Sequence, residues 1–206
     1  MSTDISLERR IADLVRQGFN REGDILDLFA QGKLEPPANQ TETAYLNAVA
    51  YNVPLLAQVG IPKSVITNYV YHSGIISQDR RSQDGGTEKA RITYMGKYML
   101  LLQQDLIGLK NNGLNEDGMN NFVKYATRTC FVGRAEHDHL TEGEREENYV
   151  NIVKAINTEL NEKRPAFMKD QGTQVRQIFE HTVYGDNISG IRETKTHTVD
   201  FLGGSQ

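Results

Sequence analysis

A short turn near the middle of the chain separates two apolar segments. Its sequence is Val59-Gly60-Ile61-Pro62. Glycine accepts backbone conformations that a side chain would block, and proline suits the first turn of a helix, because the N–H that it lacks has no helical partner there. Apolar residues recur with helical spacing on both sides of the turn, in residues 54–59 and 62–72. The pattern predicts two short helices that cross at a steep angle, a helix-turn-helix.

The second of these helices has two different faces. Ile66 and Tyr69 are predicted to pack back onto the first helix, with Val59 and Ile61 as core residues beside the turn. The opposite face is predicted to point outward, and its residues are Lys63, Ser64, Thr67, Asn68 and Tyr71.

The sequence changes character after this helix. Residues 74–77 are short and β-like, residues 78–88 are polar with Gly85-Gly86 at the tip, and residues 90–95 alternate as a half-buried strand does. We expect a β-hairpin here. A single long helix from Thr87 through Leu109 is the alternative, because the apolar residues from position 92 to position 109 also step by three and four.

The order of these pieces carries a family resemblance. Gly60-Ile-Pro-Lys-Ser-Val-Ile resembles the turn and recognition helix of the winged-helix regulators, to which the MarR-like families are similar. Gly74-Ile-Ile-Ser-Gln-Asp-Arg-Arg resembles the first strand of their wing, and Ala90-Arg-Ile-Thr-Tyr-Met-Gly-Lys resembles the second. The resemblance covers residues 41–109.

The resemblance implies that the protein binds double-stranded DNA as a homodimer. Its recognition helix would lie in the major groove, and its wing would reach the phosphate backbone or the minor groove. The DNA-binding residues that it implies are Lys63, Ser64, Thr67, Asn68, Tyr71, Arg80, Arg81, Lys89 and Arg91.

Charge is distributed unevenly along the chain. The whole protein has a net charge of −4, which by itself argues against nucleic acid. Residues 61–97 hold six basic and three acidic residues, whereas residues 135–206 hold eight basic and thirteen acidic ones. The positive charge therefore lies where the helix-turn-helix is predicted, and the acidic C-terminal region is a possible contact for a protein partner.

The predicted fold class is mainly α: a winged helix-turn-helix with a short β-hairpin wing, flanking helices and a C-terminal helical region. The predicted domains are N-terminal helices and a linker with Pro36-Pro37 (1–40), the winged helix-turn-helix (41–111), the C-terminal helical region (112–185) and an extended tail (186–206). Thr141 and Glu144 have the spacing of a capping box at the start of a helix.

Other candidate sites are weaker. His137 and His139 have the spacing of metal ligands, with His181 or His197 as a distant third ligand, but a solvated loop is the preferred interpretation. Cys130 continues an apolar stripe, which indicates a core thiol. Six tyrosines between positions 45 and 98 form either a stacking surface for single strands or part of a core. We expect no metal, cofactor or catalytic residue.

Two functions follow as expectations. The first is a dimeric transcriptional regulator that binds DNA. The alternative is a non-enzymatic adaptor or assembly protein that uses the winged helix and the helical bundle for protein contacts. One cysteine and the lack of a long apolar segment predict a cytoplasmic protein without a membrane anchor.

Overall fold

The computed structural model describes residues 7–21, 23–77, 88–130 and 141–184. Over these residues the chain forms α-helices joined by turns, and no β-strand. The helices are α1 (Leu7–Gln17), α2 (Asp24–Ala30), α3 (Gln40–Gln58), α4 (Lys63–Ser77), α5 (Glu88–Asn111), α6 (Glu116–Cys130), α7 (Glu142–Glu162), α8 (Arg164–Phe167) and α9 (Gln171–Tyr184).

Helices α4 and α6 lie side by side at the centre of the molecule. α4 packs on α1 and α3, and α6 packs on α9 and α7. α5 packs mainly against α3, and α8 packs on α7. One continuous core of buried side chains runs from α1 to α9. The predicted helix-turn-helix region and the predicted C-terminal region therefore share a core at the contact between α4 and α6.

Helix α3 begins much earlier than the sequence suggests. Its N-cap is Asn39, whose Oδ1 accepts a hydrogen bond from the N–H of Glu42 at 2.9 Å, and Thr41 is buried inside the helix. The short helix predicted for residues 54–59 is wrong, because these residues form the end of α3, which continues through Pro54 to Gln58. Proline removes one backbone hydrogen bond, but Val53 and Leu56 continue the buried stripe on both sides of it.

The turn between α3 and α4 is confirmed. Gly60 has a φ of +74°, and the N–H of Ile61 donates to the carbonyl of Leu56 at 3.0 Å, as in a glycine-terminated helix. Lys110 Nζ donates to the carbonyl of Val59 from α5. Ile61 is buried as predicted, but Val59 is 40% exposed, so its prediction as a core residue is wrong.

The β-hairpin wing is wrong. Residues 74–77 continue α4, and residues 90–95 lie in α5, so both predicted strands are helical. Residues 78–87, the predicted tip, lie outside the described residues. The long helix that the sequence left as the alternative matches α5, because the step of three and four buries Met99, Leu102, Leu106 and Leu109 along one side.

Close packing against α1 explains why a glycine, Gly74, lies inside α4. A Cβ atom at this position would be 2.1 Å from Cβ of Glu8 in α1 and 3.0 Å from the hydroxyl oxygen of Tyr45 in α3. The glycine therefore allows α1 and α4 to approach closely. In the sequence alone, a glycine at this position is easily mistaken for the end of a helix.

The C-terminal helices form an aromatic core. The capping box of α7 is confirmed, since the Glu144 carboxylate accepts a hydrogen bond from the N–H of Thr141 at 2.6 Å. The ring of Phe122 in α6 lies 6.3 Å from that of Tyr149 in α7 and 6.2 Å from that of Phe179 in α9. Helices α8 and α9 are separate, and the Asp170 carboxylate caps α9 by accepting a hydrogen bond from the N–H of Thr173 at 3.0 Å.

Candidate functional site

The predicted recognition face of α4 is only partly exposed. Lys63 and Ser64 are exposed, but Thr67 is buried and donates its hydroxyl to the carbonyl of Lys63 at 2.8 Å. Asn68 and Tyr71 are half-buried, and the Tyr71 ring lies edge-on to that of His72 at 5.3 Å.

Helix α6 covers this face from the other half of the molecule. Asn68 Nδ2 donates to Asn120 Oδ1 at 2.8 Å, and Asn120 Nδ2 in turn lies 3.5 Å from the Ser64 hydroxyl. Ser64 also donates to the carboxylate of Glu116. The amide and hydroxyl groups that would read a base edge are thus bonded within the chain, and a carboxylate lies beside them.

Of the four predicted wing residues, two lie in the part of the chain that the structure describes. Arg80 and Arg81 lie outside the described residues. Lys89 and Arg91 lie within helix α5 and not on a β-strand.

Polar groups also meet inside the bundle. Asn52 Nδ2 in α3 donates to the hydroxyl of Tyr69 in α4 at 2.9 Å, and that hydroxyl donates to the carbonyl of Met99 in α5 at 2.8 Å. Tyr45 donates to the carbonyl of Val70 at 2.7 Å. Burial raises the pKa of both Tyr45 and Tyr69, so each phenol remains a neutral donor. With Tyr98 also buried, three of the six clustered tyrosines belong to the core.

His72 is a buried titratable group in the same helix. Burial lowers its pKa to about 4, and the positive charge of Lys124 in α6 contributes in the same direction. The imidazole is therefore neutral at neutral pH.

We expect His72 to make the protein sensitive to acid. Its pKa in the folded state is about 4, below the ordinary value of 6.5, so between these values the unfolded chain binds a proton that the folded chain does not. The free energy of unfolding is unaffected above pH 6.5. It falls as the pH drops through this window, by about 3 kcal/mol once the window has been crossed. Urea unfolding of the wild type and His72→Gln at pH 7, 6, 5 and 4 measures this loss. Parallel curves for the two proteins would contradict it.

Helices α3 and α5 have a second set of candidate residues. The two helices pack along each other, and their C-terminal ends meet where Lys110 reaches Val59. Large apolar side chains are exposed here: Tyr51 at 65%, Val59 at 40% and Leu100 at 41%. We define the α3–α5 surface as Tyr51, Leu55, Val59, Leu100, Gln104 and Gly108, which are exposed except for the half-buried Leu55.

The sequence interpretation missed this surface although a signal was present. Residues 43–62 form a run of twenty without Asp, Glu, Lys, Arg or His in a chain that is 24% charged. A surface helix ordinarily has a charged face, so an uncharged one either lies in a core or meets another molecule. Tyr51 and Val59 are on this run and exposed, which excludes complete burial in the monomer.

The structure describes only part of the other candidate sites, the histidine metal site and Cys130. His137, His139 and His197 lie outside the described residues, and His181 is exposed on α9. Across the described ranges, no three His, Cys, Asp or Glu side chains come together as a metal site would require. Cys130 is the last residue of α6.

No helix in the described part of the chain combines the length and the apolar character that crossing a membrane requires. No protein-family model matches the chain, and neither a curated protein nor a solved structure matches it significantly.

Proposed function

We propose that this protein is a non-enzymatic adaptor or assembly protein that binds another protein through the α3–α5 surface. The observation that carries the proposal is the exposure of Tyr51 on an uncharged stretch, residues 43–62, together with the exposure of Leu100 on α5, which packs against α3. The centres of protein interfaces are poor in charged residues and rich in aromatic ones, and a tyrosine that becomes buried there contributes strongly to binding.

The arrangement of α4 favours this function over DNA binding. Phosphate contacts need basic side chains, and of the five predicted residues on α4 only Lys63 has a positive charge. Base contacts by Asn68 would require its bond to Asn120 to break, and Glu116 beside Ser64 would repel a phosphate. DNA binding remains a prediction from the sequence, now without the wing strands to which four of its nine predicted contact residues were assigned.

Site-specific photocrosslinking tests the proposed function. A benzoylphenylalanine in place of Tyr51, which is similar in shape, should form a discrete protein adduct in the cells that make this protein. The adduct should resist nuclease, and it should disappear when Leu100→Glu is added, because a charge at the centre of an apolar contact is not solvated. Gln177, exposed on α9, is the matched control position and should give no discrete adduct.

The opposite results are equally clear. Similar adducts at positions 51 and 177, or an adduct at position 51 that nuclease removes, would contradict the proposed function. DNA binding would instead appear as a gel shift at ~50 mM salt that weakens strongly at ~200 mM and is lost in Lys63→Ala.

A further inference from the structure

We propose that Met168 is a site of reversible oxidation, and that oxidation of its sulfur by hydrogen peroxide loosens the contact between α9 and the turn that joins α5 to α6. The turn consists of residues 112–115, and Met168 lies between α8 and α9. The effect of oxidation reaches the turn through Gln171, the first residue of α9.

Exposure distinguishes Met168 from the core methionines. The structure describes the side chains of three methionines, and two of them, Met99 and Met119, are buried. Met168 is 44% exposed. An oxidant in the solvent therefore reaches this side chain, while the surrounding helices protect the other two.

The sulfur of Met168 belongs to a group of hydrogen bonds centred on Gln171. Gln171 Nε2 donates to Met168 Sδ at 2.7 Å and to the carbonyl of Gly113 at 3.2 Å. Gln171 Oε1 accepts a hydrogen bond from the N–H of Asn115. Both N–H groups and the oxygen of this amide thus have partners, and the residue is only 1% exposed.

Asn115 connects this group of hydrogen bonds to the start of α6. Its Oδ1 accepts a hydrogen bond from the N–H of Gly118 at 2.9 Å, in the manner of a helix N-cap. One turn further along α6, Asn121 Nδ2 donates to the carbonyl of Gly172 in α9 at 2.7 Å. Loss of the Gln171 bonds would therefore loosen the start of α6, while the bond from Asn121 still joins α6 to α9.

The oxidation is a two-electron step at the Met168 sulfur. A lone pair of the sulfur attacks one oxygen of hydrogen peroxide, so that an S–O bond forms and the O–O bond breaks. The other oxygen leaves as hydroxide and takes up the proton that the transferred oxygen loses. The products are methionine sulfoxide and water, and methionine sulfoxide reductases reverse the change.

The added oxygen changes what the sulfur can bind. Sδ and Gln171 Nε2 are already at hydrogen-bond distance, so the oxygen cannot lie between them. A sulfoxide is polar, and Met168 therefore turns further toward water. One N–H of Gln171 then loses its acceptor, and because Gln171 is buried, water does not replace it. The bonds from Gln171 to Gly113 and Asn115 weaken as this side chain moves to find a new partner.

Peroxide treatment of the purified full-length chain tests the oxidation site. Peptide mass mapping should find Met168 oxidised at least roughly tenfold faster than Met99 and Met119. The melting temperature should fall by roughly 2–6 °C, as expected for one unpaired polar group in a chain of this size. Hydrogen exchange should become faster in residues 113–118. It should stay unchanged at the start of α3, the matched control, where Asn39 caps a helix in the same way. Treatment with methionine sulfoxide reductases of both epimer specificities should restore the original values.

Two variants separate the proposed coupling from other effects of peroxide. Met168→Leu keeps an apolar side chain of similar size but has no sulfur, so peroxide should leave its melting temperature unchanged. Gln171→Ala removes the amide, so Met168 should still be oxidised but with little further loss of stability.

Three results would overturn the proposal. Oxidation of Met168 that is no faster than that of Met99 and Met119 excludes it as a preferred site. Oxidation of Met168 that leaves the melting temperature and the exchange of residues 113–118 unchanged excludes its coupling to the turn. An equal loss of stability in peroxide-treated Met168→Leu places the effect at another residue.

Discussion

Replacing Gly74 with alanine should destabilise the protein by about 1–2 kcal/mol, although alanine is the better helix former. The new Cβ would lie 2.1 Å from Cβ of Glu8 and 2.9 Å from its Cγ, closer than carbon atoms approach. The backbone of α1 must therefore move away from α4, and overpacking of this kind costs about 1–3 kcal/mol or more. This exceeds the gain of about 1 kcal/mol in helix propensity. Urea unfolding measures the difference.

Gly108→Ala is the matched control for this substitution. Gly108 also lies inside a helix, but nothing lies within 4 Å of the position that its Cβ would take. Here only the helix propensity changes, so the variant should be more stable than the wild type by a few tenths to about 1 kcal/mol. If the two glycine variants shift stability in the same direction, the close approach of α1 to α4 is wrong.

Phe122→Ala should destabilise the protein by about 3–5 kcal/mol. The side chain is fully buried in α6 and contacts the rings of Tyr149 and Phe179. Truncation removes the burial of the ring and leaves a cavity among three helices, and such changes give losses of this size. Val150→Ala removes an exposed apolar side chain from α7 and should change stability by less than about 0.5 kcal/mol.

The form of the unfolding curve for Phe122→Ala is as informative as its midpoint. Because α4 and α6 share one core, we expect a single transition in which the near-ultraviolet signal of the aromatic cluster and the far-ultraviolet helical signal change together. An early loss of the aromatic signal, with the helices of the N-terminal half still folded, would show that residues 112–185 unfold as a separate domain.

Local features of the fold were predictable because their causes are local. The glycine of the turn at position 60 and the capping box of Thr141 each depend on residues within one helical turn. The wing was predicted wrongly because two short alternating segments also satisfy a helical period, and only their packing on distant helices decides between the two. Gly74 illustrates this, since the residue that requires it is Glu8, in another helix.

The candidate sites were likewise predictable where they depend on nearby residues and not where they depend on distant ones. Lys63, Ser64, Thr67 and Asn68 were correctly placed on one helix, but the bond from Asn68 to Asn120 joins residues 52 positions apart, and no local pattern reveals such a partner. The α3–α5 surface could have been found, because a run of twenty uncharged residues is visible in the sequence. What the sequence lacked was the exposure of Tyr51, which depends on the arrangement of the whole bundle.

The hydrogen bonds from Asn52 to Tyr69 and from Tyr69 to Met99 also select the alignment of three helices. Apolar side chains tolerate many relative positions, and a helix that slides by one turn can bury nearly the same area. Sliding α4 by one turn, about 5.4 Å, would remove the Tyr69 hydroxyl from both of its partners and leave buried polar groups unsatisfied, at about 1–3 kcal/mol for each. The Tyr69 hydroxyl thereby fixes the positions of α3, α4 and α5 along one another, and with them the positions of the exposed residues of α3 and α5.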